Sequence, residues 1–232
     1  MQNNKLNYKD SIVDMPIGTG KLAFRELPEI LSNHVTGNNV LDYGCGFGRS
    51  TRFLKSIGFD VIGTDISESL LKSAKDSDPI GEYYLIEEFN KKHQETNFDL
   101  ILLSFVLIEL NNKDKIIELL SGLHKHCKKN TKICVISPSE NLYKNNWYSL
   151  KPVKDNNNIN SAEAVSLYLK QFDTFIHDYY WTKKDYLDFF QSSEFTVEDI
   201  YSPKANDSDD IDWVTERKLA PFDIYVLSPK TS

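Results

Sequence analysis

Three glycines at alternate positions, Gly44, Gly46 and Gly48, follow an apolar run that ends in Asp42. Glycine is required where the backbone takes a positive φ, or where a ligand approaches the main chain so closely that a Cβ atom would block it. A turn of this kind between a strand and a helix can hold a small ligand with backbone groups and one carboxylate. The spacing predicts a ligand-binding turn, and Asp42 beside it favours a ligand that carries positive charge.

A second acidic residue, Asp65, ends the apolar, β-branched run that starts at Val61, about 20 residues beyond the glycines. In nucleoside-binding α/β folds, a carboxylate at this place accepts hydrogen bonds from both ribose hydroxyls, since it has two oxygens. Asp65 is therefore the first candidate for holding a ribose.

The run from Val40 to Ser50 resembles motif I of the class I S-adenosylmethionine-dependent methyltransferases. Its glycine spacing differs from the G-x-G-x-x-G of dinucleotide-binding folds. S-adenosylmethionine brings an ammonium and a sulfonium, whereas a dinucleotide brings two phosphates that Asp42 would repel. The resemblance implies S-adenosylmethionine as the cofactor and a set of residues around its methionine, ribose and adenine groups: Asp42, Gly44, Gly46, Asp65, Ile66, Glu87, Glu88, Ser104 and Phe105.

The later members of this set have roles that the resemblance also implies. Glu87, predicted to end a strand, would accept from the adenine amino group, with Glu88 as its rival. Ser104 and Phe105 follow the fourth strand, beside the methionine and the methyl group. Many relatives carry a histidine a few residues later, where this chain has Glu109. The resemblance therefore leaves the catalytic base to be found elsewhere in the chain.

Alternating strands and helices must position these residues. Strands are predicted at 38–43, 60–65, 82–87, 98–104 and 132–137, with helices between them. A helix at 182–191 and two strands at 195–201 and 222–227 complete the chain. The pattern predicts an α/β fold with a doubly wound, seven-stranded, mostly parallel sheet and a final antiparallel strand.

Residues 139–181, rich in asparagine and aromatic residues, interrupt the alternation, and a helix is predicted from about Ser161 to Phe175. We expect a single domain over 1–232, with 139–181 as a helical, substrate-covering segment inserted after the fifth strand. The 202–221 loop and the stretch from Tyr8 to Met15 are expected to close the other sides of the pocket.

Aromatic side chains in and after the insertion are candidates for binding a planar acceptor: Tyr143, Trp147, Tyr180, Trp181 and Trp213. His177 is the candidate general base, because imidazole titrates near neutral pH, and Glu216 is next in line. A base is required only where the acceptor carries a proton that it would not otherwise lose.

Composition excludes several function classes. A formal charge of −7 and a pI near 5.3 give no basic footprint for nucleic acid. No apolar run approaches the roughly 20 residues that span a bilayer, and the polar start lacks a signal-peptide core. The three cysteines have no metal-type spacing and indicate a reducing compartment. We expect a cytoplasmic monomer or homodimer that acts on a small molecule and binds no metal, nucleic acid or membrane.

These observations predict methyl transfer from S-adenosylmethionine to an oxygen or nitrogen of a small aromatic or heterocyclic metabolite. Two alternatives belong to other classes of protein. A nicotinamide-dependent oxidoreductase is disfavoured by Asp42 and by the glycine spacing. A catalytically silent, methyltransferase-like partner subunit is disfavoured by the intact cofactor positions.

Overall fold

The computed structural model describes residues 16–94 and 96–230. Up to residue 94, the structure contains a 3₁₀ turn (Gly18–Lys21), α1 (Leu22–Arg25), α2 (Leu27–His34), β1 (Asn39–Tyr43), α3 (Arg49–Ser56), β2 (Asp60–Asp65), α4 (Glu68–Ser77), β3 (Glu82–Leu85) and α5 (Ile86–Lys92). It continues with β4 (Phe98–Ser104), a 3₁₀ turn (Leu107–Glu109), α6 (Lys113–Gly122), a 3₁₀ turn (Leu123–His126) and β5 (Cys127–Pro138).

After β5 come β6 (Leu150–Pro152), β7 (Ala164–Leu169), β8 (Thr174–Tyr179), α7 (Lys183–Ser192), β9 (Phe195–Tyr201) and β10 (Phe222–Pro229). Among the helices of the described ranges, none has the length and apolar character needed to cross a membrane.

Seven of the strands in the described ranges form one sheet with the order β3-β2-β1-β4-β5-β10-β9. The first five run parallel, and β10 lies antiparallel to both β5 and β9. Residues 98–103 of β4 are buried without alternation, because this central strand is covered on both faces. The predicted α/β sheet, with its antiparallel closing strand, is confirmed.

The predicted helical cover is wrong, because residues 139–181 form a small antiparallel sheet of β6, β7 and β8. The inner face of β7 carries Val165 and Leu167, which are 1% exposed. These residues alternate with half-buried Ser166 and Tyr168, which is the period of a strand and not of a helix. The cover is therefore a sheet whose inner face joins the protein core.

Two other element ends differ from the sequence expectation. The strand expected at 82–87 stops at Leu85, because residues 86–92 form α5 with acids in its first turn, lysines in its last turn and Phe89 buried. The helix expected between the strands at 98–104 and 132–137 ends at Gly122, and Cys127 already begins β5 beside Phe98 of β4. Both changes come from pairing and burial that a local pattern does not contain.

Candidate functional site

The glycine turn lies between β1 and α3, at the carboxyl edge of the parallel strands. The backbone amides of Gly44 and Cys45 donate to the Thr64 carbonyl oxygen over 2.7 and 2.9 Å. Gly44 has a φ of 78°, and a Cβ atom there would lie 2.5 Å from Cγ2 of Val106. Gly44 is thus required for close packing between the turn and the segment that follows β4.

Gly46 differs from Gly44 in what surrounds it. Its φ is 55°, and apart from its two chain neighbours no described residue has an atom within 4 Å of the position that a Cβ would take. Its amide donates to Oδ2 of Asp65 over 2.8 Å. The backbone at Gly46 is therefore fixed by Asp65 and leaves an open space above it.

Asp65, the last residue of β2, is 8% exposed and connects two turns. Its Oδ2 accepts from Gly46, and its Oδ1 accepts from the Ser67 amide over 2.8 Å. A carboxylate has about four acceptor sites, so each oxygen can accept one more hydrogen bond. Ile66 next to it is 66% exposed, which places an apolar surface beside the carboxylate.

Asp42 is fully buried under the turn. Its Oδ2 accepts from the hydroxyls of Ser50 and Thr51 over 2.7 and 2.6 Å. Its Oδ1 has no hydrogen-bond partner in the part of the chain that the structure describes. Burial raises the pKa of Asp42 to about 6, against the lowering effect of the two hydroxyls. A buried acceptor atom without a donor favours a polar or cationic group as its partner.

The chain leaves β4 through a strained residue, Phe105, whose φ is 60°. The left-handed region costs a residue other than glycine about 1–2 kcal/mol, and such strain is concentrated at functional sites. The Phe105 amide donates to the Ile136 carbonyl over 2.9 Å, and its ring packs edge-on against Phe222 at 5.3 Å. This bend follows half-buried Ser104 and brings Val106 against Gly44.

Glu87 and Glu88, predicted to bind adenine, are exposed on the first turn of α5. Glu87 therefore does not end a strand, and both acids stand at the helix terminus where negative charge is stabilising.

A buried carboxylate and phenol lie on the inner side of the cover. Tyr143 donates its hydroxyl to Oδ2 of Asp178 over 2.9 Å, and both residues are 5% exposed or less. Burial raises the pKa of Asp178 to about 7; the Tyr143 hydrogen bond lowers it, and the negative charge of Glu109 raises it further. Burial also raises the pKa of Tyr143, and the charge of Asp178 adds to this effect.

Glu109 lies between this pair and the side of the sheet that carries the glycine turn. It lies in the 3₁₀ turn Leu107–Glu109, against which β8 packs. Although the residue as a whole is exposed, packing around its carboxyl group and then the charge of Asp65 raise the pKa of Glu109. Trp181, just after β8, also holds the end of this strand beside the 3₁₀ turn, because its indole N–H donates to the Leu110 carbonyl over 3.1 Å. The charge of Asp65 thus acts on Glu109, and the charge of Glu109 acts on Asp178.

His177, the predicted base, does not lie with these groups. It is exposed, and its Nδ1 makes a 2.7 Å hydrogen bond with Ser166 on β7. Successive residues of a strand point to opposite faces, so Asp178 faces inward where His177 faces outward.

Glu216, the second candidate base, is fully buried and engaged. Its Oε1 accepts from the Thr19 hydroxyl and the Tyr148 amide, each over 2.7 Å. Its Oε2 accepts from the Val214 and Thr215 amides, each over 3.0 Å. These four donors give Glu216 a part in stability, since it joins the start of the described chain, the insertion and the 202–221 loop.

The five aromatic residues predicted to bind an acceptor are all buried: Tyr143, Trp147, Tyr180, Trp181 and Trp213. Tyr143 and Tyr180 meet edge-on at 5.9 Å in the larger core cluster, which also contains Trp147 and Trp213. Trp181 packs in the other cluster, with Phe189 at 4.9 Å. The structure therefore places four of the five in one core cluster and Trp181 in the other. The stretch from Tyr8 to Met15 lies outside the described residues.

Sequence reasoning missed Glu109 and Asp178 as functional candidates. The available signal was strand alternation. In a strand over 174–179, Asp178 lies on the same face as Ile176, and His177 lies on the same face as Phe175. The helix predicted up to Phe175 concealed that alternation.

Comparison with known proteins agrees with this architecture. The model of a methyltransferase domain family matches residues 18–197. Over 90 residues, the chain is 27% identical to the probable S-adenosyl-L-methionine-dependent methyltransferase TehB of Haemophilus influenzae. The matched residues are 38% of this chain and 31% of that protein. Over 109 residues, the chain is 31% identical to an uncharacterized methyltransferase of Synechocystis. This matched region is 47% of this chain and 51% of that protein. The chain thus spans about a third to a half of the length of these relatives.

Among solved structures, the CcbJ methyltransferase of Streptomyces caelestis superposes with a TM-score of 0.65 and 13% identity, over 97% of this chain and 95% of that one. At this identity the likeness shows the fold. The family match covers most of the chain, and it favours a methyltransferase domain over the nicotinamide-dependent alternative. The chain belongs to the methyltransferase domain family, and it has the fold of the S-adenosylmethionine-dependent methyltransferases to which it is similar.

Proposed function

We propose that this enzyme methylates an oxygen or nitrogen of a small metabolite, held between the glycine turn and the inserted sheet. The observation that carries the proposal is the junction at Glu109 and Leu110, where the inserted sheet is fixed directly to the segment that follows β4. An acceptor placed there would lie beside the cofactor side of the parallel sheet, where ligands of open α/β folds bind.

The residues of the turn fit the cofactor. The open space above Gly46 can receive the methionine part, and buried Asp42, whose Oδ1 is unpartnered, can face its ammonium through a water or a neighbouring group. The free acceptor sites of Asp65 suit the two ribose hydroxyls, and exposed Ile66 offers an apolar surface to adenine. We propose these four residues, with Gly44, Ser104 and Phe105 behind them, as the cofactor site.

When bound, S-adenosylmethionine supplies a methyl group that its sulfonium already activates. The protein then has to orient the acceptor and exclude water, and orientation of this kind can supply about 7–11 kcal/mol. The buried aromatic residues Tyr143 and Tyr180 and the inner face of the inserted sheet are suited to excluding water. They support an aromatic or heterocyclic acceptor, because planar rings pack well against such side chains.

Alanine at the two glycines is expected to separate packing from cofactor binding. Gly44→Ala should destabilise the folded protein by about 1–3 kcal/mol, since the new methyl group meets Val106. Gly46→Ala has no such contact in the described residues, so it should reduce cofactor affinity by about tenfold or more with a smaller loss of stability. Urea unfolding and titration calorimetry measure the two effects. Adding Val106→Ala should restore part of the stability lost in Gly44→Ala, because it removes the contact with Val106 but not the left-handed strain at a φ of 78°. Equal cofactor affinity in Gly46→Ala and wild type would contradict the binding assignment.

The proposed function is tested by incubating the protein and S-adenosylmethionine with the small-molecule fraction of a cell extract. Mass spectrometry should find one metabolite or a related group that gains the mass of one methylene. Asp65→Ala serves as the inactive control. Transfer to proteins or nucleic acids, or no transfer by a protein that binds the cofactor, would contradict a small-molecule acceptor.

A further inference from the structure

We infer that Asp178 is the catalytic base of this enzyme, that Tyr143 positions it, and that the acceptor therefore reacts through a nitrogen or oxygen that carries a proton. The inference rests on the proposed function and goes beyond it by naming the proton acceptor and the class of nucleophile. It also assigns a role to a buried pair that the cofactor site does not use.

The geometry of the pair supports a role in proton transfer. Asp178 is 5% exposed and Tyr143 is 2% exposed, and their 2.9 Å hydrogen bond is directed from the phenol to one carboxylate oxygen. Tyr143 can therefore fix the carboxyl group while the other oxygen, Oδ1, accepts a proton. Trp181, three residues further along the chain, fixes the end of β8 to Leu110, so this arrangement is held next to the segment that follows β4.

Other titratable groups that face Asp178 come from three elements. Tyr143 belongs to the segment before β6, Glu109 to the 3₁₀ turn after β4, and Tyr186 to α7. None of these three groups carries a positive charge. Burial, and then the negative charge of Glu109, raise the pKa of Asp178 to about 7 against the lowering effect of the Tyr143 hydrogen bond. A base is most effective when its pKa lies near the working pH, because it is then both available and able to hold the proton.

The chemical step balances as follows. A lone pair on the acceptor nitrogen or oxygen forms the bond to the methyl carbon, and the S–CH₃ bond breaks with its electron pair left on sulfur. The proton of the acceptor passes to the Asp178 carboxylate. It is released to solvent after the methylated product and S-adenosylhomocysteine leave.

The first test is Asp178→Asn, measured as radioactive methyl transfer from S-adenosylmethionine to the small-molecule fraction of a cell extract. The rate should fall by about 10²–10⁴-fold, the usual contribution of a general base. The fold should survive, because the asparagine carbonyl can still accept from Tyr143. Cofactor affinity by calorimetry should stay at the wild-type value. Asp173→Asn makes the same change at an exposed turn of the same hairpin, and it is expected to transfer methyl groups at the wild-type rate.

The second test is the pH dependence, which a merely structural role would not move. The wild-type rate should rise as the pH passes upward through about 7, because the carboxylate form is the active one. Tyr143→Phe removes a hydrogen bond that lowers the pKa of Asp178, so the rise should move to higher pH. Glu109→Gln removes a negative charge that raises this pKa, so the rise should move to lower pH.

These opposite shifts test the inference even if Asp178→Asn fails to fold. Full activity and an unchanged profile in Asp178→Asn would overturn the inference, as would equal profiles in Tyr143→Phe, Glu109→Gln and wild type. Loss of the pH dependence in His177→Ala alone would assign the base to the outer face of the sheet. Because wild-type transfer reports on the proposed function and the variant profiles report on Asp178, the two can fail separately.

Discussion

Replacing Asp65 by alanine is expected to weaken the binding of S-adenosylmethionine by about 2–4 kcal/mol, which is about 30- to 1,000-fold in Kd. The carboxylate is proposed to hold both ribose hydroxyls, and it also accepts from the amides of Gly46 and Ser67. The change therefore removes ligand contacts and loosens the glycine turn at the same time. Titration calorimetry measures the first effect, and amide hydrogen exchange at residues 44–48 measures the second.

Asp60→Ala is a matched control, since Asp60 is an exposed carboxylate at the other end of the same strand. It loses only a 2.7 Å hydrogen bond from the Asn38 side chain, and cofactor affinity should stay at the wild-type value. Equal affinity in Asp65→Ala and Asp60→Ala would remove Asp65 from the cofactor site.

Glu216→Ala is expected to lower the free energy of unfolding by about 3–5 kcal/mol. Three backbone amides, of Tyr148, Val214 and Thr215, lose their acceptor, and so does the Thr19 hydroxyl. A buried donor left without a partner costs about 1–3 kcal/mol, and partial relaxation keeps the total below the sum. Urea unfolding followed by circular dichroism measures the loss.

Two further variants show whether Glu216 acts in stability alone. Asp212→Ala removes an exposed carboxylate from the same loop and should change the free energy of unfolding by less than about 0.5 kcal/mol. Glu216→Gln keeps one of the two acceptor oxygens and should fall between wild type and Glu216→Ala. A folded Glu216→Gln protein that binds the cofactor but transfers no methyl group would instead support Glu216 as the base.

The glycine turn and the parallel sheet could be predicted because their signals are local. Strands at 60–65, 98–104 and 195–201 have the bounds that the sequence indicates, since apolar runs with β-branched residues specify them. Gly44, Gly46 and Asp65 lie within two adjacent strand ends, so their joint position follows from the parallel order of β1 and β2. The family follows from these few residues, and the proposed cofactor fits them.

The cover and the position of the proposed base depended on tertiary structure. Val165 pairs with Asp178 and Leu167 with Ile176 across a hairpin, and this pairing made strands of a stretch whose composition predicted a helix. The pairing also decided that Asp178 faces inward and His177 outward. The Glu216 carboxylate accepts a hydrogen bond from the hydroxyl of Thr19, which lies 197 residues away in the chain. Which side of a strand is buried, and which donors reach a buried carboxylate, depends on contacts between distant segments, because neither is encoded by the spacing of neighbouring residues.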